Sequence, residues 1–294
     1  MIRTLIACCI VVMSAAAAQA SEAVVEAVQS PAWVERAGAR EPLAVGMPLR
    51  NGDRVVSGAD GRVLLRLAEG SSVKLGEQAQ LAVDRLSMRR EAEQRGLATA
   101  ALDVIKGAFR FTTPLVSKFR GRREVDVRIA TVTAGIRGTD LWGKAADDRD
   151  IVCLIEGRIA VQRQGEAQFV MDQPLSFYIA PRNQPALPVQ PVAAEQLAQW
   201  ATETEIAPGR GGARGGGRWN VYVAEVDDQA SALAAYDALR AAGFPAQIRP
   251  SGTAGGAIVY RVRVGNLSGR ADAEAVGERV RKLAGLGDVS VRRN

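Results

Sequence analysis

The sequence has no histidine, and after its ninth residue it has a single cysteine, Cys153. Without histidine there is no Ser-His-Asp or Cys-His nucleophile system, and the commonest zinc ligand is missing. A carboxylate pair can still hydrolyse a glycoside, but no two acidic residues stand in an apolar context that would suggest one. The expectation is therefore a protein that is not an enzyme and takes no cofactor or metal. One thiol cannot close an intramolecular disulfide, so the fold must stand on its core. Cys153 lies within Ile151-Val152-Cys153-Leu154-Ile155, apolar on both faces like a central strand. Its expected role is a buried small hydrophobe rather than a reactive or lipidated thiol.

Long apolar runs are absent too, with one exception at the start. Arg3 gives a positive beginning, residues 5–13 form an apolar core, and Ala18-Gln19-Ala20 places small residues where signal peptidase reads. Cleavage is expected between Ala20 and Ser21, which makes the mature protein periplasmic. The run is shorter than the roughly 20 residues of a spanning helix, and no later stretch approaches that length, so no membrane span is expected after cleavage. Leu5-Ile6-Ala7-Cys8 has the residue types of a lipobox, but only four residues precede it, too few to insert.

Charge is unevenly placed. Residues 21–208 hold 24 basic and 24 acidic side chains, whereas residues 209–294 hold 13 basic and 8 acidic ones. The basic excess therefore belongs to the C-terminal part and points to a neutral or anionic polymer as partner. Export argues against nucleic acid.

Three segments follow the signal. Residues 24–181 read as all-β, with short alternating runs at 63–67, 73–75, 81–83, 104–111, 125–132, 151–155, 159–161 and 169–171. Turn residues such as Asn51-Gly52-Asp53, Ala59-Asp60-Gly61, Glu69-Gly70-Ser71 and Glu156-Gly157 separate them, which predicts a sandwich or rolled barrel. Residues 182–217 read as a Pro/Gly-rich linker. Pro181, Pro185, Pro188 and Pro191 keep it extended, a short helix is expected over 193–204, and the Gly/Arg-rich stretch 209–217 reads as a flexible tether. Residues 218–294 change rhythm: strand 219–226, helix 229–243, strands 245–249 and 257–265, helix 270–284, strand 288–292. Trp219, Val221, Val223 and Val226 match Tyr260, Val262, Val264 and Leu267 at one fixed offset. The helix faces Ala232-Ala235-Leu239-Ala242 and Ala273-Val276-Val280-Leu283 match at the same offset. The unit is a duplicated strand–helix, a βαββαβ split sandwich of α+β class with one sheet face open.

Parity shows what the open face carries. Strand side chains alternate, so the apolar members cover the helices and their neighbours point away. The outward set is Asn220, Tyr222, Gln247, Arg249, Arg261, Arg263, Ser290 and Arg292. Amides, guanidinium groups and a phenol suit sugars, whose hydroxyls donate and accept and whose apolar faces stack on rings. Arginine also pairs with carboxylates as a planar fork. Any half-exposed sheet has a polar outer face, so the pattern alone leaves a plain solvated surface open.

Two resemblances sharpen these expectations. Trp219-Asn220-Val221-Tyr222-Val223, Tyr260-Arg261-Val262-Arg263-Val264-Gly265 and the helix over 271–284 make residues 218–294 similar to a SPOR (sporulation-related repeat) domain. The resemblance implies binding of peptidoglycan glycan strands stripped of stem peptides, in a groove on the open sheet face, and for many such domains gathering at division sites. This chain departs from the family pattern at Tyr222, where glutamine is usual, at Ala224-Glu225-Val226 in place of Gly-Ser-Phe, and at Asn266-Leu267 in place of Pro-Phe.

The β segment resembles the FecR-type extracytoplasmic domain over roughly residues 45–170. The residues that carry it are Gly52-Asp53-Arg54-Val55, Ser57-Gly58-Ala59-Asp60-Gly61, Glu69-Gly70-Ser71-Ser72-Val73-Lys74-Leu75, Ala130-Thr131-Val132, Gly135-Ile136-Arg137-Gly138-Thr139-Asp140 and Glu156-Gly157-Arg158-Ile159. Well-known members of that family are transmembrane regulators of a sigma factor. This sequence has no spanning helix to support that role. Arg137-Gly138-Thr139 is expected to make a structural corner in which Thr139 bonds locally, with partner docking as the alternative. The favoured reading is a periplasmic binding protein whose C-terminal domain holds the wall and whose β domain meets an envelope protein. The other reading is a signalling component in which the β domain relays and the C-terminal domain only tethers.

Overall fold

The computed structural model describes residues 22–90, 96–114, 119, 121–252, 256–283, 286 and 288–294. The signal-like segment and its expected cleavage point lie outside the described residues. No described helix is long and apolar enough to cross a membrane.

The N-terminal unit runs through β1 (Ala23–Gln29), β2 (Ala32–Arg36), β3 (Ala39–Pro42), β4 (Arg54–Ser57), β5 (Arg62–Leu67), β6 (Ser72–Leu75), β7 (Gln80–Arg90) and β8 (Gly96–Thr112). It continues through β9 (Gly121–Ile129), β10 (Val132–Ile136), β11 (Asp140–Ala145), β12 (Arg149–Glu156), β13 (Ile159–Arg163), β14 (Phe169–Met171) and β15 (Ser176–Pro181). One sheet has the order β3-β2-β4-β7-β8-β9-β10-β13-β14, antiparallel except for β8 beside β9. The second has β15-β12-β11-β8-β6-β5-β1, all antiparallel.

Strand β8 belongs to both sheets. Residues 96–106 pair in the first and residues 107–112 in the second. Gly107 makes the crossing at φ +87°, and a Cβ there would sit 2.6 Å from Ala79 Cα, so only glycine fits. Alternating strands such as β5, whose Val63, Leu65 and Leu67 are buried, line the core between the sheets. Each such side chain contributes about 1.5–3 kcal/mol.

The family-like motifs do structural work in this core. Asp53 is almost fully buried and accepts both Nε and Nη2 of Arg36 at 2.7 Å, plus the Arg50 N–H at 2.8 Å. Ser57 donates to the Gly76 carbonyl at 2.6 Å and accepts from the Ala79 N–H at 2.9 Å. Gly138 turns at φ +79°, and a Cβ at Gly157 would fall 2.4 Å from Thr139 Cγ2, so the two motifs pack together. The expected local bond of the Thr139 hydroxyl is not made. That oxygen is buried without a hydrogen-bond partner, and Thr139 is held through its backbone carbonyl, which accepts from Thr113 N–H at 3.0 Å.

The segment 182–217 is not a free tether, which corrects the sequence expectation. It holds β16 (Gln190–Pro191), paired with β15, then α1 (Ala194–Thr204) and β17 (Gly212–Arg214). Trp200 of α1 stacks on the buried Trp142, centroids 4.6 Å apart at 4°, and meets Phe177 edge-on at 5.7 Å. Lys144 and Lys74 reach Glu203 and Glu205 at the helix end. The helix thus covers the outer face of the second sheet, which is why the 151–155 run is apolar on both sides. Cys153 is buried there beside Trp142, and burial, then the nearby charge of Asp140, pushes its thiol up to about 12. It is a packing residue, as the sequence led one to expect.

Candidate functional site

The C-terminal unit comprises β18 (Trp219–Val226), α2 (Gln229–Ala241), β19 (Ala246–Gly252), β20 (Ile258–Leu267), α3 (Arg270–Arg281) and β21 (Ser290–Arg293). Its antiparallel sheet has the order β19-β20-β18-β21, the βαββαβ arrangement the duplication predicts. Asp228 caps α2, accepting the Ser231 N–H at 2.7 Å. Ala232, Ala235 and Leu239 of α2, with Ala273, Val276 and Val280 of α3, bury one sheet face together with Val221, Val223, Val262 and Val264.

The opposite face carries the polar set. Tyr222 and Gln247 flank Arg263 on either side, and Arg249 and Glu225 flank Arg261. Arg261 Nε donates to Glu225 Oε1 at 2.9 Å, and the Arg292 guanidinium donates to Glu225 Oε2 at 3.4 Å. The Arg292 guanidinium also lies over the Tyr222 ring, 4.9 Å from its centroid. Arg263 donates to the Tyr222 hydroxyl at 3.4 Å and to Asn294 Oδ1 at 3.2 Å. Arg249 and Arg292 are exposed, whereas Gln247, Arg261, Arg263 and Ser290 are half-buried.

One expected member does not reach the surface. Asn220 is 2% exposed, and its amide donates to Asn294 Oδ1 at 2.8 Å. It lies across Gly265, where a Cβ would stand 2.8 Å from Asn220 Oδ1. Asn220 therefore ties the C-terminus to the sheet and is not an open contact. Conversely, Glu225 joins the face although strict alternation would turn it inward. The pairing passes from Tyr222–Arg263 to Ala224–Val262, so Val223 is the extra residue of a β-bulge. Beyond it Ala224 and Val226 pack inward and Glu225 points out. The adjacent apolar pair Val223-Ala224 was the signal for that phase change. Arg261, followed by desolvation acting the other way and then by the charge of Arg292, holds the Glu225 carboxyl below the usual range.

The β unit touches this domain on its helical side. Ala32 N–H donates to the Gly243 carbonyl at 3.3 Å, and Trp33 packs where a Gly243 Cβ would be. Strand β17 pairs with β1 and, at Ala213–Leu267, with β20, joining the two sheets. Asp272 Oδ1 accepts the N–H groups of Gly209, Gly211 and Gly212 at 2.9, 3.0 and 3.0 Å. Arg279, its pKa lowered by burial, donates to the carbonyls of Ser30 and Arg210. The polar sheet face stays turned away from all of this.

Fold and site define a two-domain protein, a two-sheet β unit docked against an α+β unit with one open, guanidinium-rich sheet face. Residues 53–160 match the family model for FecR protein, and residues 215–292 match that for the SPOR domain. The chain thus carries a FecR-type domain followed by a SPOR domain. No curated protein matches. Two crystal structures of a candidate anti-sigma factor from Parabacteroides distasonis match at 13% identity, over 82% of this chain and 98% or 99% of theirs, with TM-scores of 0.39 and 0.38.

Proposed function

We propose that this is a periplasmic, non-enzymatic protein whose SPOR domain binds peptidoglycan glycan strands stripped of stem peptides, and whose FecR-type domain is held ready for an envelope protein partner. One observation carries the reading. Arg249, Arg261, Arg263 and Arg292 share one solvent-facing sheet surface with the Tyr222 ring. Removing a stem peptide at its amide bond frees a carboxylate on each lactyl group, so a denuded strand is a repeating anion on a sugar backbone. Guanidinium forks fit the carboxylates, and the phenol ring fits an apolar sugar face. The mixed, open character of the face suits a long polymer rather than a small molecule.

Sedimentation with sacculi tests this. The chain produced without its first 20 residues should pellet with amidase-treated sacculi, and Arg261→Ala/Arg263→Ala should stay in the supernatant. Absence of the unaltered protein from both intact and amidase-treated pellets would sink the proposal.

The FecR-type match favours a second reading, in which the β domain relays an envelope signal and the SPOR domain only fixes its place. Fluorescent fusions separate the two. Under the first reading the double arginine variant loses wall or septal localisation. Under the second an envelope-stress output changes while localisation matters little.

A further inference from the structure

The polar face contains its own anion. Glu225 projects among four arginines, bonded to Arg261 Nε at 2.9 Å and to the Arg292 guanidinium at 3.4 Å, with Arg292 in turn lying over Tyr222. A bulge at Val223 is what brings this carboxylate to the outer side. Were the strand regular, Glu225 would face the helices and the two guanidinium groups would be free to meet a ligand.

We propose, resting on the reading above, that Glu225 sets how strongly this face takes a ligand carboxylate: it occupies the place of that carboxylate on Arg261 and Arg292, and a lactyl carboxylate of the glycan must displace it. The bridging geometry follows the chemistry of the expected ligand. One carboxylate accepts from two guanidinium groups beside an aromatic ring, as a lactyl carboxylate beside its sugar would. Displacement leaves Glu225 solvated rather than buried, because its side chain is already more than a third exposed. The cost is therefore small enough for a ligand carboxylate to win when its sugar also meets the ring. The bond from Arg261 holds the Glu225 carboxyl below the usual range, so this competition extends into mildly acidic solution. Glu225 thus weakens the binding of carboxylate-bearing strands.

The test compares Glu225→Gln with Glu274→Gln, a loss of the same charge on the outer side of α3, where Glu274 pairs with Arg270. Glutamine keeps the shape and one hydrogen bond to Arg261 while removing the charge. Affinity is measured for denuded glycan strands and for chitotetraose, which has the sugars without the lactyl carboxylate. Glu225→Gln should bind denuded strands about two- to fivefold more tightly, the range that losing an exposed ion pair allows. Chitotetraose affinity should not change, and Glu274→Gln should match the unaltered protein for both ligands. Equal or weaker binding of denuded strands by Glu225→Gln overturns the inference: equal binding means that Glu225 does not compete, and weaker binding that it is a ligand contact. An equal gain in both variants also overturns it, as a bulk charge effect. Failure of the unaltered protein to bind denuded strands removes the glycan-binding proposal itself, and this inference with it.

Discussion

The buried carboxylates of Asp53, Asp150 and Asp272 are each matched to their donors at the level of single atoms. Asp150, with no exposed surface, accepts the Thr131 N–H at 2.9 Å, the Thr131 hydroxyl at 2.5 Å and Arg182 Nη2 at 2.9 Å. It lies on β12 of the second sheet, while Thr131 is in the β9–β10 turn of the first and Arg182 opens the connecting segment. One side chain therefore fastens three parts of the chain. Asp53 does the same for Arg36 and the 50–53 turn. Removing the shared acceptor leaves its donors unmatched, which costs more than the net worth of the bonds. Asp150→Ala should lower unfolding stability by about 3 kcal/mol, read from the urea midpoint with an unchanged slope. A loss below about 1 kcal/mol would mean that water enters and replaces the carboxylate. Cys153 illustrates the reverse case. It has no charged partner to satisfy, and burial makes it a hydrophobe with a thiol pushed up to about 12.

Helix α1 shows how an element can be legible while its role is not. A short helix is expected over residues 193–204 and forms over 194–204, but its partner was hidden because Trp142 lies more than fifty residues upstream. The stacked pair and the Phe177 edge contact give the helix its anchor. Trp200→Ala should cost about 2 kcal/mol from lost apolar burial and ring stacking. It should also open residues 193–204 to proteolysis and remove the near-ultraviolet circular dichroism of the tryptophan pair. An unchanged dichroism signal would place the helix anchor in the Lys144–Glu203 and Lys74–Glu205 pairs instead. The same divide between local and distant signals runs through the other elements. Strands β5, β6, β12, β13 and β14 and all six elements of the SPOR domain follow from periodicity, turn residues and the internal duplication. The run 125–132 reads as one strand but folds as β9 and β10, because its turn is made by Ala130 at φ +46°, a residue type that announces no turn. Strand β17 is formed from glycine-rich sequence whose extended shape is imposed by the edge of β1, so no side-chain pattern records it. Among the site residues, Tyr222, Gln247, Arg249, Arg261, Arg263, Ser290 and Arg292 follow from simple alternation. Asn220 and Glu225 escape it, one because the C-terminal Asn294 covers it and the other because a bulge reverses its face.

At the scale of the whole molecule, the question is whether wall binding would hold the FecR-type domain on a loose string or in a fixed orientation. A flexible tether gives reach and raises local concentration, whereas a docked interface also transmits direction. The structure favours docking through three separate devices: the β1–β17–β20 pairing, the Arg279 bonds to Ser30 and Arg210, and the Asp272 carboxylate within the N–H groups of Gly209, Gly211 and Gly212. Gly211 has to be glycine for this, since at φ +92° a Cβ would fall 1.9 Å from Arg279 Nη2. Of the three, the Asp272 contact can be removed without touching the β unit or the polar sheet face. Asp272→Ala leaves three backbone N–H groups without their acceptor, and such groups are costly to bury unpaired. The segment 209–217 should then loosen, so that trypsin cuts at Arg210 and Arg214, and the radius of gyration from small-angle scattering should rise. Binding to amidase-treated sacculi should persist, because the arginine face takes no part in the contact. If the variant stays compact and resists trypsin, the strand pairing and the Arg279 bonds suffice for docking. If it loosens and wall binding is lost as well, the docked arrangement shapes the binding face, and the two domains work as a single unit.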